Sequence, residues 1–184
     1  MKNPDFPRRG ALLLCAALAL APAVALAADR AALEGDARRA LQKLTSTVPA
    51  ANALSKDAAA VLIFPKITKA GLGIGGQYGD GVLFKGSKAV GFYNTSGASY
   101  GLQAGAQQFG YAMFLMNDKA VSALGANEGF EVGVGPSVVV MDAGKATALT
   151  TTTAKDDIYA FIFGQKGLMA GLGIQGNKIT RLKD

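Results

Sequence analysis

The sequence predicts an α+β domain: an N-terminal helix or two, then a glycine-rich, strongly bent antiparallel β-sheet or barrel-like body of about eight strands. Three observations lead there. Apolar residues recur at three- and four-residue spacing near the N-terminus, at Leu33, Ala37, Ala40, Leu41 and Leu44. Beyond residue 58 the period falls to two, as where Leu72 and Ile74 alternate with Gly71, Gly73 and Gly75. The 24 glycines are concentrated after residue 70, inside and between these alternating runs.

The first 27 residues read as a secretory signal peptide. Lys2, Arg8 and Arg9 make a positive leader, residues 11–20 an apolar run, and Ala25-Leu26-Ala27 a cleavage site before Ala28. The chain is therefore expected to be exported to the periplasm or cell envelope, with residues 28–184 forming one domain. An uncleaved membrane helix competes, against Pro22 and the small residues near Ala27. A twin-arginine signal at Arg8-Arg9 has poorly fitting neighbours. A lipoprotein signal at Cys15 is opposed by the bulky Leu14 and by the short apolar run before it.

Cleavage would remove Lys2, Arg8, Arg9 and Asp5, leaving 16 basic against 12 acidic residues, a net charge of +4. That excess mildly favours anionic partners such as lipid headgroups, while charge taken alone favours simple solubility. No cysteine would remain, so no disulfide would hold the fold.

The elements follow in order. Asp29 is a plausible N-cap for a helix over residues 29–47, which Pro49 ends, and residues 50–56 add a short second helix. Val61-Leu62-Ile63-Phe64 is a strand closed by Pro65, and residues 70–76 form the next. Asp80-Gly81 is a hairpin-turn signal, with Val82-Leu83-Phe84 returning as the partner strand. Residues 88–93 are a strand, and residues 99–116 one long bent strand or two. Asn117 or Asp118 caps a short helix that ends at Gly125. Residues 130–135 and 138–141 alternate again, residues 146–153 suggest an exposed threonine-rich strand, and residues 158–163 turn through Gly164-Gln165-Lys166-Gly167 into residues 168–174. Residues 179–182 close the sheet.

Gly71, Gly73 and Gly76 spell G-x-G-x-x-G, and Gly171, Gly173 and Gly176 repeat it. A dinucleotide turn needs a helix directly after the glycines. Here a turn signal follows the first motif and the chain's last eight residues follow the second. Packing explains the glycines better: they let a sheet bend, or let a helix, a backbone or an apolar ligand come close.

Residues 61–76, VLIFPKITKAGLGIGG, with Gly79-x-Gly81-Val82-Leu83, resemble the opening of the SYLF domain. Residues 94–105, NTSGASYGLQAG, resemble its next block, and Asp157-Ile158-Tyr159-Ala160-Phe161 with Lys166-Gly167-Leu168-Met169-Ala170-Gly171 its last. The resemblance covers residues 33–182. It departs from the family pattern at Val90-Gly91-Phe92-Tyr93. It implies a lipid-binding module: eukaryotic relatives bind phosphoinositides and some bind actin, while bacterial relatives are exported envelope proteins. For an exported chain it implies association with anionic lipid or a membrane surface, the headgroup left open, and no nucleic acid or cofactor.

Two basic sets are candidate lipid contacts. Arg30, Arg38, Arg39 and Lys43 line the N-terminal helix, whose apolar stripe either lies on a membrane or packs on the sheet. Lys66, Lys69, Lys85 and Lys88 would gather at the open end of one hairpin if Asp80-Gly81 turns it. Both sets read equally as solvated surface. Asp156-Asp157 is expected in a loop or at a strand start. The chain has no histidine and its only cysteine is Cys15, which excludes a serine–histidine triad and a histidine or cysteine zinc site. The expectation is a non-enzymatic membrane-associating domain. The alternatives are an envelope protein binding a protein partner, and a small outer-membrane barrel, for which the aromatic girdles are missing.

Overall fold

A computed structural model describes residues 11–125, 129–131, 138–142 and 156–183. They fall into two units, the first ending at Ala32 and the second beginning at Leu33. The first is the N-terminal stretch of helix α1 (Ala11–Thr47). Asp29 therefore lies inside α1, not at an N-cap as the sequence suggested. The alanines and leucines upstream are the strongest helix formers, so nothing local starts the helix at Asp29.

The second unit begins with the rest of α1. Val48, extended at φ −119° and ψ 104°, separates it from α2 (Pro49–Asp57). The residue before a proline avoids helical geometry, and Pro49 itself suits the first turn of a new helix. The strands are β1 (Ala60–Lys85), β2 (Lys88–Leu115), β3 (Phe130–Glu131), β4 (Val138–Asp142) and β5 (Ile158–Arg181), with α3 (Asp118–Leu124) after β2. Their order is β1-β2-β5-β3, all antiparallel, and β4 pairs with β5 in parallel.

The α+β layout is as expected, but the body is an open five-stranded sheet among the described residues, not a barrel of about eight strands. The count fell because three strands run 26, 28 and 24 residues straight through the turn signals. Asp80-Gly81 sits inside β1, opposite Asn94 and Tyr93. The hairpin turns at Gly86-Ser87 instead, with φ +57° at Gly86 and no positive φ at Ser87, the pattern of a type II′ turn. Asp80 accepts a hydrogen bond from Asn94 Nδ2 at 2.9 Å across the ladder, which satisfies it within a strand. The expected turn at Gly164–Gly167 lies inside β5. The expected strand over residues 146–153, and residues 132–135 of another, fall outside the described residues.

Fully drawn out, 26 strand residues would reach about 85 Å. β1 doubles back instead. Gly73 has φ +72°, and the pairing with β2 slips between Leu72 and Ile74. Beyond this bend the strand meets its own earlier part: a Cβ on Gly79 would lie 2.8 Å from the carbonyl oxygen of Lys66, and one on Gly81 2.5 Å from Cδ1 of Phe64. Sharp curvature with close backbone approach is thus the demand that the glycines meet.

Strand alternation divides the core between two faces. On one, Val61, Ile63, Val82, Phe84, Ala112, Phe114, Tyr159 and Phe161 pack under Ala37 and Leu44 of α1 and Ala51 and Leu54 of α2. Phe114 and Phe161 meet edge to face, centroids 5.5 Å apart at 87°. On the other face, Leu62, Phe64, Met113, Leu115, Ile158 and Ala160 pack with Ala120 and Leu124 of α3. Asn117 caps α3 as predicted, its Oδ1 accepting from the Ala120 amide at 2.9 Å. Its Nδ2 donates to Asp157 at 2.7 Å, and Lys119 adds a 3.1 Å ion pair to the same carboxylate. Asp156 and Asp157 lie in a bend just before β5, as expected.

A candidate lipid cleft beside the C-terminal end of the first helix

Ala40, Lys43, Leu44, Thr47 and Val48 recur at three- and four-residue steps and form one wall of a cleft of 490 Å³. Pro65 of β1 and Phe163, Gly164 and Lys166 of β5 form the other. Two adjacent irregularities in the sheet open this wall. Pro65 and Lys66 stand between the pairs Phe64–Tyr111 and Ile67–Phe109, and Gly164 and Gln165 between the pairs Gly110–Phe163 and Gln108–Lys166. Both flank the same point of β2, Phe109-Gly110. Pro65 has no amide hydrogen to offer a ladder, so a bulge is where a strand tolerates it. A bulge also redirects the side chains next to it.

The cleft is apolar along Leu44, Val48, Pro65 and Phe163, with two ammonium groups at its rim. Among the described residues neither Lys43 nor Lys166 has a carboxylate partner. The Thr47 hydroxyl is already used, donating to the Lys43 carbonyl at 2.8 Å. Unneutralised cations over an apolar slot fit a ligand with an anionic head and a hydrocarbon tail.

The other predicted basic residues are placed as follows. Arg38 donates to Glu34 Oε1 through Nε at 3.1 Å and Nη2 at 2.6 Å, and its guanidinium lies 4.8 Å from the Phe84 ring centroid. Arg39 pairs with Asp36 at 2.5 Å. Arg38, Leu41, Gln42, Thr45, Phe84 and Gly86 line a second cleft of 320 Å³. Arg30 belongs to the N-terminal unit and is half-buried. The apolar stripe of α1 from Leu33 to Leu44 packs on the sheet core, so it is not free to lie on a membrane.

Lys66, Lys69, Lys85 and Lys88 do not gather at one hairpin end, because the turn is at Gly86. Lys85 and Lys88 face each other directly across it, at the closed end. Lys66 is exposed and Lys69 half-exposed, both on β1 before its bend. Among the described residues no cluster of acidic, histidine or cysteine side chains could hold a metal ion.

Sequence reading found Lys43 but missed Lys166, Pro65 and Phe163 as its companions. The signal is present in Pro65 and Gly164, whose local chemistry suits a strand end and a turn and which both mark bulges inside strands.

Two comparisons bear on the chain. Residues 96–184 match the model of a family described as Ysc84, Las17-binding protein actin regulator. That segment carries the β5 wall of the cleft and not the α1 wall. No curated protein matches the chain.

Proposed function

Because the match over residues 96–184 supports assigning this chain to the SYLF-domain family, we propose that it is an exported, non-enzymatic domain that holds anionic lipid between Lys43 and Lys166. The observation that carries this reading is a pair of lysines at the rim of an apolar cleft, neither with a carboxylate partner among the described residues. Their ammonium groups would meet phosphate oxygens, while Leu44, Val48 and Phe163 would take the start of an acyl chain. Headgroup chemistry beyond negative charge is left open. Export rests on the positive leader, the apolar run and the Ala25-Leu26-Ala27 site. N-terminal sequencing of the exported product should begin at Ala28.

The test is flotation with vesicles of phosphatidylglycerol mixed with phosphatidylcholine, against phosphatidylcholine alone. Each lysine near an anionic surface contributes about 1 kcal/mol. Replacing both Lys43 and Lys166 by Ala should therefore weaken binding to the anionic vesicles about 30-fold. High salt should weaken wild-type binding. Equal flotation of the double variant would move the headgroup contact elsewhere.

A second reading has one finding in its favour. The matching family is described by a protein it binds, so an envelope protein partner is the alternative should no vesicle be bound.

A further inference from the structure

The bend in β1 leaves two large aliphatic side chains in solvent. Leu72 is 83% exposed and Ile74 70%, on either side of Gly73. Tyr78, two turns of the pleat further on, is exposed as well. Solvent exposure of single leucines is ordinary, but here three large exposed side chains, Leu72, Ile74 and Tyr78, follow one another on alternate residues or nearly so along one strand, where the ladder continues into two further strands. Ile74 pairs with Tyr100, which pairs with Ile174, and Leu102 pairs with Leu172. Three strands therefore bring their glycine-spaced segments into register at this bend.

The charge around it has one sign. Residues 65–79, 95–110 and 163–177, the parts of the three strands that approach and leave the bend, contain Lys66, Lys69 and Lys166 and no aspartate or glutamate. Asp80, the next carboxylate along β1, is held by Asn94 at 2.9 Å and lies 3.4 Å from the Tyr78 hydroxyl. An apolar tip on strand segments that carry lysines, Lys66 and Lys166 exposed among them, and no carboxylate of their own is complementary to an anionic bilayer surface. A protein partner would need no such uniform charge.

We infer that the bend carrying Leu72 and Ile74 is a membrane-inserting tip, which enters the headgroup region of an anionic bilayer while Lys66, Lys69 and Lys166 contact phosphates. This rests on the lipid reading above and adds a second point of attachment to it. Insertion is shallow. Among the described residues β1 stands at the end of the strand order, and its outward backbone groups have no ladder partner there, so they must stay within reach of water or headgroups.

The chain contains no tryptophan, so a single introduced indole reports on one place. Ile74→Trp should show a blue shift on adding phosphatidylglycerol–phosphatidylcholine vesicles and should be quenched by brominated acyl chains. Ser87→Trp, at the exposed hairpin turn, should show neither. Leu72→Trp provides the same readout if Ile74→Trp does not fold. Replacing both Leu72 and Ile74 by Ser should lower vesicle partitioning roughly tenfold. Flotation without a shift or quenching at residue 74, or with equal quenching at residue 87, overturns the tip and leaves headgroup binding standing. Absence of wild-type flotation overturns both.

Discussion

Gly81 lies against Phe64 with no space for a side chain: a Cβ there would stand 2.5 Å from the ring and 2.6 Å from the carbonyl oxygen of Ile63. β1 meets itself at this point, so the contact holds the strand in its doubled form. Gly81→Ala must displace backbone as well as ring and should cost about 1–3 kcal/mol. Gly76 differs, since the nearest atom to an added Cβ is 3.7 Å away. Alanine relieves the entropy that glycine loses in a strand, so Gly76→Ala should be neutral or stabilising by up to about 1 kcal/mol. Thermal melts of the two variants decide the matter; equal losses would mean that close approach is not what the glycines serve.

Tyr111 makes stability depend on pH in the alkaline range. Burial beside Phe64, centroids 6.5 Å apart, disfavours the phenolate and pushes its pKa from 10.0 up to about 12. The folded protein therefore keeps a proton that the unfolded chain releases as pH passes 10.0. This contribution is complete below pH 10.0 and is lost as pH rises toward about 12. Tyr111→Phe should flatten this part of the stability profile while leaving stability at neutral pH little changed. Urea titrations on both sides of pH 10.0 would show it.

Asn117 serves two elements, and its substitutions should separate the roles. Its Oδ1 caps α3 while its Nδ2 donates to Asp157 at the entry to β5. Asn117→Ser keeps a capping oxygen but loses the reach to Asp157. Asn117→Asp keeps the cap and sets a second carboxylate against the first. Losing a cap costs about 1 kcal/mol. Asn117→Asp should nevertheless be the more destabilising at neutral pH, and its deficit should shrink as acid protonates the pair. A deficit that does not respond to pH would rule out the charge conflict.

Arg38 and Lys43 sit five positions apart on one helix and should behave differently. Arg38 is engaged by Glu34 and the Phe84 ring, partly in solvent, and Arg38→Ala should cost about 1 kcal/mol of stability. It should leave anionic-vesicle binding unchanged. Lys43→Ala should do the reverse. Chemical denaturation and flotation of the same two variants test both halves, and an exchange of the two outcomes would relocate the cleft's charge.

The helical spacing of Leu33, Ala37, Ala40, Leu41 and Leu44, the break at Pro49, the cap at Asn117 and the strand character of residues 61–64 and 158–163 were all legible in the sequence. Each depends on neighbours within about a turn or a pleat. The lengths of the strands were not legible. Asp80-Gly81 and Gly164–Gly167 carry the chemistry of turns, yet across the sheet Asn94 satisfies Asp80, and a bulge absorbs Gly164. Ladder partners more than ten residues away outweighed local preference.

The cleft shows the same division. Lys43 and its helical neighbours could be read as one face from spacing alone, as could the need of the Gly71-Gly73-Gly75 run for close approach or curvature. That β1 doubles back at Gly73, setting Leu72 and Ile74 in solvent, was decided by tertiary structure, as was the meeting of Lys43 with Pro65, Phe163 and Lys166. A sequence fixes periodicity and capping through contacts between near neighbours. The place where a long sheet folds, and which distant side chains then share a rim, follows from packing both of its faces at once.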